Sequence, residues 1–427
     1  MKKILILSYH FPPQNNIASR RSVAYAEYLM QSNIYPTIVT HEFTGDGYPV
    51  VSNEIKSESF GSYTVVRTPY MKTYIGKFQK KVKRVPWLLN LFNMCLWSLG
   101  HLDSEQLDSY LSYRKFLRKH LVEHQYDLVL AIYSPSHHIR SAYAIHKKFG
   151  IPYVVDYRDL WDNGLLRKTS YKPSIGRKVL NYFSKLYHRK WLRKALFITS
   201  VSQPLVDYLK HVSGLQNCYL ITNGFEASIF NSLQKKESEK FQITHGGTIY
   251  NDQDMKHFIQ GIRFFYDELK AEDRGLFQIL IIGSRNQNKV SQIKEGLADV
   301  QIEVSERLNR SEALQLMKNS SILYYPAFTS HRGIYSGKIF EYLGLGNNIL
   351  VTPTDSDVVE ELMRHTDAGI ATSDPRVVAR FLKENFEHWR IFGHMRYKGN
   401  SAIINEYSRE VQVSKMAVLI NNFLEDK

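Results

Sequence analysis

Short runs of β-branched and leucine residues alternate with longer amphipathic stretches along nearly the whole chain, in two series separated by a single polar interval. Such alternation predicts parallel sheets covered by helices and argues against an all-helical bundle or an antiparallel sandwich. The first series places strands near Ile4–Ser8, Thr37–Thr40, Tyr63–Arg67, Leu128–Ile132, Tyr153–Asp156, Leu196–Val201 and Tyr219–Thr222. The second places them near Gln242–His245, Gln278–Ile282, Gln301–Val304, Ile322–Tyr325, Asn348–Val351 and Gly369–Ala371. Between them, residues 223–240 are polar and show no periodic apolar face until Phe241 opens a new strand. The expected organisation is an N-terminal α/β domain over 1–222, a linker over 223–240, and a second α/β domain over 241–390. Helices over 391–427 follow, with a possible return to the first domain. At 427 residues the chain is too long for one ordinary core, and two doubly wound domains are the simplest solution. Two such domains on one linker are expected to leave a cleft at the carboxyl ends of their strands, where open α/β sheets bind ligands.

Charge divides unevenly between the halves. Residues 1–222 carry 31 Lys and Arg against 14 Asp and Glu, a balance of +17, whereas the remainder carries 25 against 27. A field polarised in this way suits an anionic surface facing the first domain, either lipid or nucleic acid. No aromatic and basic nucleic-acid reading module is recognisable, which favours lipid. Cys95 and Cys218 are the only cysteines and have no partner at metal-ligand spacing, so a reducing cytoplasm fits and a zinc site does not. The apolar run after Lys2 and Lys3 is short and meets Pro12-Pro13, so it reads as a first strand rather than a signal peptide.

One segment breaks the strand–helix rhythm, a basic and aromatic insertion over 70–125. Its core, Tyr70–Gly100, carries Lys77, Lys80, Lys81, Lys83 and Arg84, then an apolar run with Trp87 and Trp97. That run is shorter than the roughly 20 residues that cross a bilayer. Cations beside Trp, Leu and Phe are what an interfacial segment needs, although a helix packed on the domain explains the same pattern. A second basic stretch, Arg177–Lys194, reads either as an interfacial face or as a solvated one.

The richest candidate for chemistry is GIYSGKIFEYLGLGNN, residues 333–348, between the strand ILYYP and the strand NILVT. Ser336 and Gly337 then fall at a helix N-terminus at the carboxyl end of a strand, where free amides and the helix dipole favour phosphate. Lys338 adds positive charge. Glu341, about one turn along, offers a carboxylate to ribose hydroxyls. An ordinary strand–helix–strand connection capped by Gly346 accounts equally well for these residues taken alone.

The run SGKIFEYLGLGNNILVTPTDSDV resembles the donor-binding signature of family 4 retaining glycosyltransferases, Ser/Thr-x-Lys-hydrophobic-hydrophobic-Glu-Tyr-hydrophobic-x-x-Gly. The resemblance implies a GT-B fold, two Rossmann-like domains facing a central cleft. It also implies that Ser336, Gly337 and Lys338 meet the diphosphate and Glu341 the ribose. The first glutamate of the family's Glu-x7-Glu pair falls here on Gly333. Three more segments extend the resemblance. SYHFPPQNNIASRR, residues 8–21, is similar to the family's Phe-Pro-Pro loop, with Asn15, Asn16 and Ala18 where glycines are common and Arg20 and Arg21 opening a helix. YSPSHHIRSAYAIHKKFGIPYVVDYRDLWDN, residues 133–163, resembles its Ser-Pro-x-His and Asp-x-Arg-Asp-x-Trp patterns. There His137 or His138, with His138 preferred, would bond a sugar hydroxyl and a donor phosphate, and Asp159 would be the acceptor-side carboxylate. Asp156, Arg158 and Asp159 are expected at the cleft, or else as an internal ion-pair network. In ITHGGTIYNDQDMKHFIQGI, residues 243–262, amides at Gly246, Gly247 and Thr248 would approach the diphosphate before a helix. ITNGFE, residues 221–226, resembles the turn closing the family's first domain.

Asp355-Ser356-Asp357 imitates a divalent-metal motif, but its place before VVEELM makes it a helix cap with first-turn acid. No metal and no cofactor are expected, the nucleotide sugar being substrate. The implied activity is retaining transfer of a hexose-type unit from a UDP- or GDP-sugar to a lipid-linked glycan in surface-polysaccharide synthesis. The protein would act as a cytoplasmic enzyme peripheral on the inner membrane face. A non-catalytic nucleotide-sugar-binding scaffold is the rival that Gly333 keeps open.

Overall fold

The computed structural model describes all residues except 15–16, 45–47, 76–77, 79–80, 82–83, 101–103, 159–173 and 426–427. The chain forms two compact units. One holds the described residues of 1–222 together with those from Gln412 onward, and the other holds Asn223–Val411.

In the first unit, β1 (Lys2–Leu7), β2 (Ile34–His41), β3 (Lys56–Ser59), β4 (Thr64–Thr68), β5 (Leu128–Tyr133), β6 (Tyr153–Tyr157), β7 (Ile198–Ser200) and β8 (Cys218–Leu220) form one sheet. Its order is β3-β4-β2-β1-β5-β6-β7-β8. Neighbours are parallel except β3, which runs antiparallel to β4 at the edge. Each strand expected in this half forms. β3 is additional, and its residues KSES are all exposed, so neither an apolar run nor alternation marks it.

The sheet is buried on both faces, as a parallel sheet must be. Leu5 and Leu7 of β1 enter one core, with Tyr113, Ile139 and Trp191, whereas Ile4 and Ile6 enter the other. The second core is completed by Val413, Met416, Ala417 and Ile420 of the helix Arg409–Glu425, at helical spacing. Fully burying such side chains contributes roughly 1.5–3 kcal/mol each for the larger ones, which ties the C-terminal helix to the first unit.

In the second unit, β9 (Phe241–Gly246), β10 (Phe277–Ile282), β11 (Gln301–Ser305), β12 (Ile322–Tyr325), β13 (Asn348–Val351) and β14 (Gly369–Ala371) form an all-parallel sheet. Its order is β11-β10-β9-β12-β13-β14. The interval read as a polar linker contains a helix, Ala227–Ser232, whose Phe230 is buried. Phe230 and Phe225 pack on Gly344 so closely that a Cβ there would lie 2.8 Å from the Phe225 ring.

Both sheets share one topological property that positions function. The chain builds outward from β1 through β2 to β4 and then restarts with β5 on the other side of β1. Likewise it builds from β9 through β10 to β11 and restarts with β12 on the other side of β9. Loops leaving the carboxyl ends of β1 and β5, and of β9 and β12, diverge in opposite directions and leave a crevice, the usual ligand site of a doubly wound sheet.

Candidate functional site

The β9/β12 crevice of the second unit gathers most of the expected donor residues. The helix Gly337–Leu345 starts there, preceded by Ser336 in extended conformation (φ −79°, ψ 151°). The Ser336 side chain caps none of the first-turn amides, and its buried Oγ has no hydrogen-bond partner in the protein. Its N–H donates to the Tyr325 hydroxyl at 3.3 Å, which fixes the approach of the chain. Gly346, at φ 67°, ends the helix in the left-handed conformation that glycine adopts freely.

Lys338 turns back across the crevice. Its Nζ donates to the Thr248 carbonyl at 2.6 Å and lies 3.4 Å from Nε2 of His245. His245 is buried, with Nδ1 at 3.0 Å from the Tyr324 carbonyl. Because a carbonyl only accepts, Nδ1 carries the proton and Nε2 presents a lone pair to the ammonium. Burial, and secondarily Lys338, hold His245 at about 3, so it stays neutral. Burial, partly offset by Glu341, lowers Lys338 from 10.5 to about 8. The result is a desolvated cation held beside a helix N-terminus.

Gly246, which ends β9, and Gly247 after it serve this lysine more than they serve a phosphate. The Gly246 N–H donates to the Tyr342 hydroxyl at 2.8 Å and the Gly247 N–H to the Ile282 carbonyl at 2.7 Å, so both amides are committed within the protein. Gly247, at φ 86°, admits the Lys338 stem: a Cβ there would lie 3.0 Å from Cε. The following helix begins only at Lys256, so the turn is not itself a helix N-terminus.

Glu341 lies on the same helix and pairs with a residue that no sequence spacing announces. Arg310 Nη2 is 3.1 Å from Glu341 Oε1, and Arg310 Nη1 is 2.8 Å from Glu226 Oε2. Arg409 approaches Glu226 at 3.4 Å. Arg310 therefore orients Glu341 through one oxygen.

The position of the absent glutamate has its own architecture. Gly333 sits at φ 69°, and its N–H donates to Asp357 Oδ2 at 2.6 Å. Asp355 accepts from the N–H groups of Val359 at 2.9 Å and Glu360 at 3.0 Å, capping the helix Val358–Thr366. Both carboxylates of the metal-like motif thus bind backbone amides. A side chain at 333 would be strained in the left-handed region, so Gly333→Ala is expected to cost about 1 kcal/mol. Urea unfolding of the variant, followed by second-unit probes, checks this; an unchanged midpoint would show that the loop tolerates a Cβ.

In the first unit, the β1/β5 crevice holds both candidate histidines, on the helix His137–Phe149. Both are buried, with ring centroids 4.4 Å apart. His138 Nδ1 lies 3.0 Å from the Ile132 carbonyl, so its Nε2 carries the lone pair, and that atom is buried with no hydrogen-bond partner. Tyr9, from the loop after β1, packs edge-on to His137 and donates to Glu105 at 2.6 Å. Asn15, Asn16 and Asp159 lie outside the described residues. Arg20 is half-buried on the helix Ile17–Tyr28, and the Arg158 N–H donates to the Tyr133 carbonyl at 3.3 Å.

Asp156 has a different partner from the one anticipated. Rather than facing the crevice with Arg158, it is fully buried against Arg21, which makes bonds of 2.6 and 2.8 Å to its two oxygens. Tyr25 at 3.0 Å and Thr199 at 2.8 Å complete its shell. Arg21 also donates to the carbonyls of Ile221 and Thr222, tying β6 to the end of the first unit.

Three buried histidines of this unit, His41, His138 and His188, are each lowered to about 3, chiefly by burial. Unfolded, they titrate near 6.5, so below that pH the unfolded chain binds protons the native state excludes. Stability therefore falls as pH drops from about 6.5 towards 3. At about pH 5.5 the loss is about 1.4 kcal/mol per histidine, or about 4 kcal/mol for the three. Unfolding near pH 5.5 should take up close to one proton per histidine in calorimetry; no uptake would refute this.

Residues 98–228 match the model of Glycosyltransferase Family 4, a span that includes the turn bearing His137 and His138. No curated protein sequence matches the chain. Among solved structures, sucrose-phosphate synthase from Thermosynechococcus elongatus is similar over 100% of both chains, with a TM-score of 0.64 at 12% identity. An α,α-trehalose-phosphate synthase (UDP-forming) from Burkholderia vietnamiensis is also similar over 100% of both, at 0.58 and 10%. The fold is GT-B. Anabaena HepE in complex with UDP and glucose shares this GT-B fold over 99% of the present chain and 100% of its own, at 0.57 and 11% identity. At such identities the likeness establishes the fold, and the chemistry rests on the residues described above.

Proposed function

We propose that the protein transfers a sugar from a UDP- or GDP-sugar to an acceptor hydroxyl, with retention of anomeric configuration. The observation that carries this is the β9/β12 crevice, where the desolvated Lys338 cation lies beside the N-terminus of the helix Gly337–Leu345 and Glu341 follows one turn along it. Cation and first-turn amides suit a diphosphate, and the Glu341 carboxylate, oriented by Arg310, suits ribose hydroxyls. As the sugar–phosphate bond breaks, negative charge grows on the departing diphosphate, and groups already oriented there stabilise it without reorganisation. Lys338 and the amides take this role without a metal. The crystallised complex of HepE with UDP and glucose supports UDP as the nucleotide of the donor.

The acceptor side is assigned to the first unit, with His138, or else His137, as the histidine for a sugar hydroxyl, Asp159 as the acceptor-side carboxylate, and Asn15, Asn16, Arg20 and Arg158 on the acceptor or phosphate side. The acceptor is a lipid-linked glycan in surface-polysaccharide synthesis, and the +17 first half brings the enzyme to the inner membrane face. Gly333, in place of a glutamate, favours one second reading, a nucleotide-sugar-binding scaffold. Release of UDP or GDP from a panel of sugar nucleotides, with a membrane lipid extract as acceptor, separates the two. Acceptor-dependent release is expected; donor binding without turnover across the panel would leave only the scaffold.

A further inference from the structure

The helix Pro86–Ser98 leaves large apolar side chains in water. Trp87, Leu91 and Met94, spaced by four and three residues on one helix face, are 66%, 53% and 39% exposed, and Leu99 just beyond is 56% exposed. A packed insertion would bury this stripe. Of the cations preceding it, Lys81 and Arg84 are exposed, whereas Lys77, Lys80 and Lys83 lie outside the described residues. The neighbouring helix Ile175–Leu192 packs against it, with Tyr187 donating to the Ser98 carbonyl, and exposes Tyr182 and Leu186 among Lys178, Lys185 and Arg189.

Leu99 also lines a groove of about 710 Å³, whose other walls carry Arg114, Arg118, Arg140, Lys147, Lys148 and Lys190. Among the described residues, no Asp or Glu lines it. At its floor the half-buried Arg140 donates to the Leu99 carbonyl at 2.6 Å and stacks 4.3 Å from the Tyr110 ring centroid. Arg114, Arg118, Lys147, Lys148 and Lys190 share this lining with no carboxylate from the described residues, so they repel one another, and a phosphate among them lessens that repulsion. An apolar stripe joined to an anion-binding groove matches the two layers of a bilayer surface, acyl chains below and phosphates above.

We propose that this face docks the first unit on an anionic bilayer, the helix Pro86–Ser98 lying in the interface and the groove holding a phospholipid headgroup. This gives a surface to the membrane location proposed above, and it stands apart from the transfer reaction because docking requires no sugar nucleotide.

The test is sedimentation of the full chain with vesicles of phosphatidylcholine alone or with about one third phosphatidylglycerol, at low and high salt. Binding is expected only to the anionic vesicles, with brominated acyl chains quenching tryptophan emission in a manner lost in Trp87→Phe. The triple variant Arg118→Ala, Lys147→Ala, Lys148→Ala should partition about 100-fold more weakly, at about fivefold per cation. Leu91→Ser with Met94→Ser should abolish the quenching. Each variant should melt like the parent; should one fail to fold, quenching of the parent chain still decides. Equal binding to neutral vesicles, absence of vesicle binding, or tighter binding to RNA or DNA that the triple variant loses would each overturn the proposal.

Discussion

Replacing Lys338 by methionine is expected to lower kcat/KM for the donor by roughly 10²- to 10³-fold, the usual consequence of deleting one preorganised charge or donor from a desolvated reaction site. Methionine keeps the stem that fills the space against Gly247, so the melting temperature should hardly move. The same lysine makes a pH signature. With its ammonium at about 8, the free site loses positive charge as pH rises through that value. A bound diphosphate favours the charged form, so affinity for UDP should fall as pH rises above about 8, by at most tenfold per unit. In Lys338→Met that pH dependence should vanish. Calorimetric titration of UDP across this range checks both statements, and equal affinity of parent and variant would remove Lys338 from the site.

The second large effect concerns stability. Arg21→Met leaves Asp156 buried with only the Tyr25 and Thr199 hydroxyls as partners. Removing one member of a buried charge pair typically costs about 3–5 kcal/mol, because the remaining charge stays desolvated. For a unit of this size that corresponds to a fall in melting temperature of roughly 10 °C. Replacing both partners, Arg21→Met with Asp156→Leu, removes the stranded charge and should recover part of the loss. Thermal and urea unfolding of the two variants decide the matter: a single variant as stable as the parent would show that the pair does not hold β6 in place.

The fold was legible because its determinants are local and repeated. Apolar strand runs such as LVLAIY and FQILII are unmistakable, and Gly346 ends its helix as a left-handed cap. β3 escaped because an exposed edge strand of Lys, Ser and Glu carries no hydrophobic signal. The helix Ala227–Ser232 was hidden for a related reason: two phenylalanines, Phe225 and Phe230, anchor it, too few to establish a period.

The candidate site was legible in part. Ser336, Lys338 and Glu341 stand close in sequence, so a helix start and its first turn could be read directly. Their partners are contributed by other elements: His245 lies near the end of β9, and Arg310 opens a helix 31 residues before Glu341. His245 did have a signal, since it ends a strand immediately before Gly246 and Gly247. Arg310 had none. Asp156 shows the opposite limit, because the nearby Arg158 invited a local pairing while the true partner, Arg21, lies 135 residues away. Long-range pairing of charges is decided by sheet order, which brings the helix Ile17–Tyr28 against β6 but leaves no trace in spacing.

The central claim, that a nucleotide sugar is held at the β9/β12 crevice, is tested most directly by a crystal structure of the protein soaked with UDP. The account predicts the diphosphate over the N-terminus of the helix Gly337–Leu345, within hydrogen-bond reach of Lys338, with ribose hydroxyls on Glu341. UDP bound elsewhere, out of reach of Lys338, Glu341 and the first turn of the helix Gly337–Leu345, would contradict it.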